Sequence, residues 1–166
     1  MAWRLSTGLR NKILGAAEGQ GSLKQILANG QIRIYTGTQP ASADAGETGT
    51  LLCTITLASG AMTSGVATNG INLGNAADGT VGKAAGEVWS GVNGGAGGTG
   101  YTGTQTAGWF RWYPNAFTDN IGGGAAKICI DGNCATSGGQ MNLSSTSLAA
   151  DVTTTVDSVA ITMPAS

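Results

Sequence analysis

Histidine is absent from the 166 residues. That removes the commonest general base near neutral pH and the commonest transition-metal ligand, so a hydrolytic triad of the usual kind and a His-ligated zinc site are both excluded. Long hydrophobic runs are also missing. The longest apolar stretch, Leu51 to Ala58, is interrupted by Thr54 and Thr56 and falls far short of the roughly 20 apolar residues that cross a bilayer. A soluble chain with no membrane contact is therefore expected. Met1-Ala2-Trp3-Arg4 leads into a polar, basic segment without a signal-peptide apolar region, which points to synthesis and folding in a cytoplasm. The three cysteines, Cys53, Cys129 and Cys134, form no C-x-x-C spacing, so neither a dense disulfide framework nor a zinc knuckle is indicated.

Small residues are what the chain has in quantity, including 29 glycines, while only 10% of residues are charged and 5% aromatic. A disordered chain would combine low hydrophobicity with high net charge. This one is 41% hydrophobic with a formal charge of −1, which argues for a folded, turn-dense protein. The length suits one domain with an appendage.

Charge divides the chain. Residues 1–33 carry Arg4, Arg10, Lys12, Lys24 and Arg33 against Glu18, a balance of +4, and the remainder carries −5. Leu5, Leu9 and Ile13 recur every four residues on one helical face, although Gly8 and Gly15 weaken a helix there. This reads as a basic N-terminal arm that becomes helical on a partner, with Trp3, Arg4, Leu5, Leu9, Arg10, Lys12 and Ile13 as the contacting residues. A protein surface with an acidic groove suits it better than nucleic acid, because the chain as a whole is slightly acidic. After the linker Gly15 to Gly21, Ser22-Leu23-Lys24-Gln25 forms a capping-box pattern and Asn29-Gly30 a stop, predicting a short helix at 22–29. Residues 1–30 are thus read as arm and helix, and 31–166 as the body.

From residue 31 the apolar period is two. Strands are expected at Ile32 to Ile34, Leu51 to Leu57, Gly86 to Ser90, Gly108 to Tyr113, Lys127 to Ile130, Cys134 to Ser137 and Thr153 to Met163, divided by turn residues at intervals that suit a sandwich or barrel. Trp109, Phe110, Trp112 and Tyr113 load both faces of one strand and mark it as central. The fold class expected is mostly β: an antiparallel, jelly-roll-like sandwich with a short N-terminal helix and an extended basic arm. Asp131-Gly132 between Ile130 and Asn133 reads as a two-residue hairpin turn. It would set Cys129 opposite Cys134 as a possible disulfide, with Cys53 a buried thiol.

Several patterns invite chemistry without supplying it. Gly98-Thr99-Gly100-Tyr101-Thr102-Gly103 matches a dinucleotide fingerprint, but it follows a glycine-rich loop and precedes a strand, the reverse of the required context. Gly91 to Gly103 reads instead as an exposed loop. No G-K-[ST] sequence occurs. Asp44 and Glu47 read as solvated loop charges, and Asn142-Leu143-Ser144 is a glycosylation sequon that carries no meaning without a secretory signal. No catalytic, metal-binding or cofactor-binding residue is assigned, and no cofactor is expected.

Seven blocks carry a likeness to known proteins: Arg4-Leu5-Ser6-Thr7-Gly8-Leu9, Ile32 through Asp44, Thr48-Gly49-Thr50-Leu51-Leu52, Glu87-Val88-Trp89-Ser90-Gly91, Ala107-Gly108-Trp109-Phe110-Arg111, Met141 through Ser145 and Thr155-Val156-Asp157-Ser158. Together they resemble a group of small structural proteins encoded by tailed bacteriophages and prophages. The insertion around 93–103 and the segment Cys129 to Cys134 stand outside the pattern and read as surface features. The resemblance implies a non-enzymatic virion component assembled in the host bacterial cytoplasm. The first expectation is a capsid cement or decoration protein, with a jelly-roll-like body on the shell and an arm across neighbouring major capsid subunits. A neck, tail or carbohydrate-binding appendage is the alternative. Self-association is expected as well, because the body has more apolar surface than one small sandwich covers, and a trimer would match the three-fold sites of a shell.

Overall fold

The computed structural model describes residues 3–13, 21–94 and 100–162. Among these the chain forms strands β1 (Arg4–Leu5), β2 (Gln31–Thr36), β3 (Leu51–Leu57), β4 (Thr80–Gly82), β5 (Trp89–Val92), β6 (Thr104–Tyr113), β7 (Ile130–Ala135), β8 (Met141–Leu143), β9 (Ser147–Ala149) and β10 (Thr153–Thr162). Helices α1 (Thr7–Ile13) and α2 (Leu23–Ile26) precede the body. No helix among the described residues is long and apolar enough to cross a membrane.

The expectation of a mostly β chain holds, but the strands close on themselves. Seven of them run in the order β6-β2-β3-β5-β10-β8-β7, and β7 returns to β6, completing a barrel. Short strands β1, β9 and β4 extend it along β7, β6 and β10. Strand spacing and turn residues read alike for sandwiches and barrels. What decides between them is the β6–β7 register, with Phe110 opposite Gly132 and Arg111 opposite Asp131.

That register overturns the hairpin at Asp131-Gly132. Both residues lie inside one continuous strand, and each has a role there that mimics a turn signal. Gly132 lies beneath the Phe110 ring, where an added Cβ would stand 2.7 Å from the ring carbons. An interior glycine thus marks close approach rather than a turn. Cys129 and Cys134, five positions apart on extended chain, are separated by roughly 16 Å. They also face opposite sides, Cys134 toward the barrel interior and Cys129 toward the outer layer. All three thiols are free and buried, and the segment they flank is core rather than surface. Burial pushes the Cys53 thiol up to about 12 and, with Arg111 pulling the other way, that of Cys129 to about 11.

Inside the barrel, alternate residues of each strand meet. Ile32, Ile34, Cys53, Ile55, Trp89, Phe110, Trp112, Met141, Val156 and Val159 belong to one cluster. Trp89 and Trp112 meet edge to face with centroids 5.1 Å apart. All neighbouring barrel strands are antiparallel except β7 and β8, which are parallel across a very short return. Side chains brace that return: the Asn133 N–H donates to Gln140 Oε1 at 2.9 Å, and the Gln140 N–H donates to Asn133 Oδ1 at 3.2 Å.

The N-terminal segment is not a detached arm. Strand β1 pairs with β7, Trp3 meets the Phe110 ring at 5.6 Å, and Leu9 is fully buried in the barrel's own cluster. The partner on which the helix forms is this barrel. Gly8, a weak point for an isolated helix, lets α1 lie against the backbone at 126–127, since a Cβ there would collide with the Lys127 carbonyl oxygen. Helix α2 keeps its expected start, with the reciprocal Ser22–Gln25 capping box formed. It is shorter than the 22–29 reading, and Asn29 at φ 52° turns the chain out of it. Residues 15–20 of the linker, the first two positions of the Gly98–Gly103 pattern and Met163 lie outside the described residues. Gly91 and Val92, read as loop, end β5.

Leu9→Ala should therefore cost on the order of 2 to 5 kcal/mol of stability. Urea denaturation would measure it, and an unchanged midpoint would mean that α1 only rests on the surface.

Candidate functional site

From Trp109 to Tyr113 strand β6 is buried on both faces, and Arg111 is among its wholly buried side chains. Phe110 and Trp112 point into the barrel, so Trp109, Arg111 and Tyr113 point outward. A second layer covers them, built from the loop 37–50 and the segment 114–129. Trp109 stacks on Tyr35 at 4.6 Å and donates to the Thr48 carbonyl at 3.2 Å. Arg111 Nε and Nη2 donate to the two oxygens of Asp131 at 2.6 and 2.7 Å, and Nη1 donates to the Ala45 carbonyl at 2.9 Å. Glu47 lies 3.6 Å from the guanidinium and accepts from the Tyr113 hydroxyl and the Gly122 N–H.

Burial pushes the Asp131 carboxyl up and the guanidinium bonds pull it back. Both its oxygens accept from Arg111, which is the arrangement of a carboxylate, and we assign the ionised pair. Burial also disfavours the Arg111 cation, yet the hydrogen bonds and charge of Asp131 leave its pKa above the ordinary value. For Glu47, burial raises the pKa, and the bonds from Tyr113 and Gly122 together with Arg111 outweigh it, leaving it below the ordinary value.

The N-terminal segment ties this layer down. Arg4 donates to the Pro40 carbonyl. The Thr7 N–H and hydroxyl donate to Asp44 at 2.7 and 2.6 Å, which holds the Asp44 carboxyl below its ordinary pKa. Buried Ser6 accepts from the Leu9 N–H and the Cys129 N–H and donates to the Lys127 carbonyl. Asp44 and Glu47, read from sequence as solvated loop charges, are thus fixed anchors of the covering loop. The nominated arm residues scatter. Leu9 is buried, Trp3, Leu5 and Ile13 pack on the core, Arg4 is spent on the loop, and Arg10 donates to Thr7 at 2.7 Å. Lys12 is half-buried.

Two concavities stand out among the described residues. One, of about 610 Å³, is walled largely by apolar groups from Trp3, Leu5, Leu23, Val81, Ile130 and Ile161 at one end of the barrel. The other, of about 330 Å³, lies outside β2, β3 and β5, with Gln31, Arg33, Thr54, Thr56, Met62 and Phe117 in its wall. Sequence reading passed over Gln31 and Arg33. Their signal was the period-two pattern of β2, which sends Gln31, Arg33 and Tyr35 outward while Ile32 and Ile34 go inward. Among the described residues no three His, Cys, Asp or Glu side chains gather as a metal site. Searches of family models, curated proteins and solved structures find no match to this chain.

Two outcomes follow from the outer layer. Arg111→Met alone should destabilise the fold by about 3 to 5 kcal/mol, because it strands a buried carboxylate, and Arg111→Met with Asp131→Leu should cost less than that single change. A double-mutant cycle in urea measures it, with additive costs as the contrary result. Asp44 and Glu47 have folded pKa values below their ordinary 3.8 and 4.5. Their contribution is therefore complete above that range and is lost as pH falls through the lowered values. The urea midpoint should drop on acidification below about pH 4, less steeply in Asp44→Asn, and an identical pH profile for that variant would contradict the anchoring role.

Proposed function

We propose that the protein is a non-enzymatic virion structural component, of the capsid cement or decoration type, that binds the outer shell, bridges major capsid subunits and associates with copies of itself as a trimer. The observation that carries the reading is where the blocks of resemblance meet. Residues 4–9, 32–44, 48–52 and 107–111 form the N-terminal clamp, the covering loop and the strands beneath it, a mechanical framework rather than a pocket. The identity of these residues is spent on holding the barrel shut.

The physical character of the body suits such a role. A closed barrel leaves few unpaired strand edges, and the added strands β1, β4 and β9 are only two or three residues long. A protein packed at high density on a shell gains from this, because free edges invite uncontrolled pairing. A carbohydrate-binding appendage has less support. Trp89, Trp109 and Trp112 are fully buried, and the exposed large hydrophobics among the described residues are the valines 66, 88, 92 and 152. None of these is an aromatic platform for a sugar. With Leu9 committed to the core, the surface left for capsid contact is the exposed face of α1, Arg10 and Asn11, beside the apolar end of the barrel.

Quantitative mass spectrometry of purified virions from a producing strain tests the proposal. Hundreds of copies per particle are expected for a shell protein. Three to twelve copies would move the protein to the neck or tail, and absence from particles would overturn the reading.

A further inference from the structure

The cavity outside β2, β3 and β5 has the makings of a ligand site, and this holds independently of the virion reading. Arg33 and Gln31 stand two residues apart on the outward side of β2. Both line the cavity. Gln31 is 3% exposed, and its Nε2 has no hydrogen-bond partner; Arg33 Nε has none either. Leaving buried donors unmade is costly, and two on one wall of one cavity form a pair of waiting donors. Both atoms are shielded from solvent, so each side chain turns to meet a ligand, while Arg33 is also hydrogen-bonded to Tyr35.

Charge identifies what that ligand carries. The residues lining the cavity include Arg33 and no Asp or Glu, and among the described residues no carboxylate forms an ion pair with Arg33. Directly across the β2–β6 ladder its neighbour is a second cation, Arg111, whose carboxylate partners are Asp131 and Glu47. Like charges opposed on adjacent strands repel. Arg33 is instead held with its guanidinium carbon 5.7 Å from the Tyr113 ring centre and 5.9 Å from that of Phe117. Aromatic faces attract the cation without neutralising it, and they fix its plane for a two-pronged acceptor. The rest of the wall combines the hydroxyl residues Thr54, Thr56 and Ser59 with the apolar side chains of Met62, Val92 and Phe117. A volume of about 330 Å³ is at the small end of ligand pockets.

We propose that this cavity binds a small carboxylate with a short apolar tail. The carboxylate accepts from Arg33 and the Gln31 amide, and the tail lies against Met62, Val92 and Phe117.

The test is a titration of the full chain, labelled with 15N, by sodium 4-methylpentanoate, followed through the Gln31 side-chain amide, the Arg33 Nε–H and the Thr54 and Thr56 backbone signals. The neutral 4-methylpentanamide and sodium chloride at equal ionic strength are the controls. Saturable shifts confined to these residues are expected with the carboxylate. The amide should bind roughly tenfold more weakly or worse, since it forfeits the charge-assisted bonds. Arg33→Met keeps the stem between the rings and removes the charge, and should abolish saturation. Val92→Trp fills the half-exposed mouth without touching a donor and should do the same, which guards against a folding defect in the first variant. Shifts that never saturate, that are equal for acid and amide, or that persist in both variants would overturn the proposal.

Discussion

A charge buried on the outside of the barrel sets the terms for much of the rest. Arg111 sits in mid-strand on β6, fully covered, and an uncompensated cation there would cost several kcal/mol. Asp131 answers it from the adjacent strand in direct register. The pair still has to be kept from water on its outer side, and that requirement falls on loop 37–50, whose Ala45 carbonyl and Glu47 carboxylate complete the guanidinium's partners. The loop in turn has little regular structure of its own. It is pinned by Arg4 and Thr7, which places β1 and α1 within the fold rather than beyond it.

The same dependency runs through backbone space. Residues with no side chain sit where two layers come closest: Gly132 beneath Phe110, and Gly8 against the Lys127 carbonyl. A glycine-rich composition is here partly a requirement of close layering. The large side chains Phe110 and Trp112 fit the barrel because Gly132 and Gly30 leave room beside them. Closure then leaves β7 with neighbours on both sides, which is why its central residues, polar Asp131 among them, can be fully buried.

What could be read in the sequence follows from what is local. Strand β3, the aromatic strand β6 and the Ser22 capping box depend on period and short-range chemistry, and the structure places them where the pattern does. Beyond element boundaries such as the end of α2, the misreadings involve long-range partners. Asp131-Gly132 has the composition of a turn because one residue answers an arginine 20 positions away and the next makes room for a ring on another strand. The Leu5, Leu9, Ile13 stripe was correctly apolar, but a stripe does not say which surface covers it, and intramolecular docking looks the same in sequence as docking on a partner. The choice between barrel and sandwich rests on one pairing, β6 with β7, that no local pattern encodes.

Arg33 and Arg111 make the same point within a single ladder. They are paired residues on neighbouring strands, of the same type, facing the same side, and sequence gives no reason to separate them. The difference is what lies over each. Arg111 lies under a loop that brings carbonyl and carboxylate groups to it, while Arg33 lies at the edge of that cover, between two rings, facing a cavity walled by threonines and apolar groups. The chain gives each of the three nitrogens of the first a hydrogen bond. For the second it supplies an aromatic cradle from Tyr113 and Phe117 and, among the described residues, no ion-paired acid.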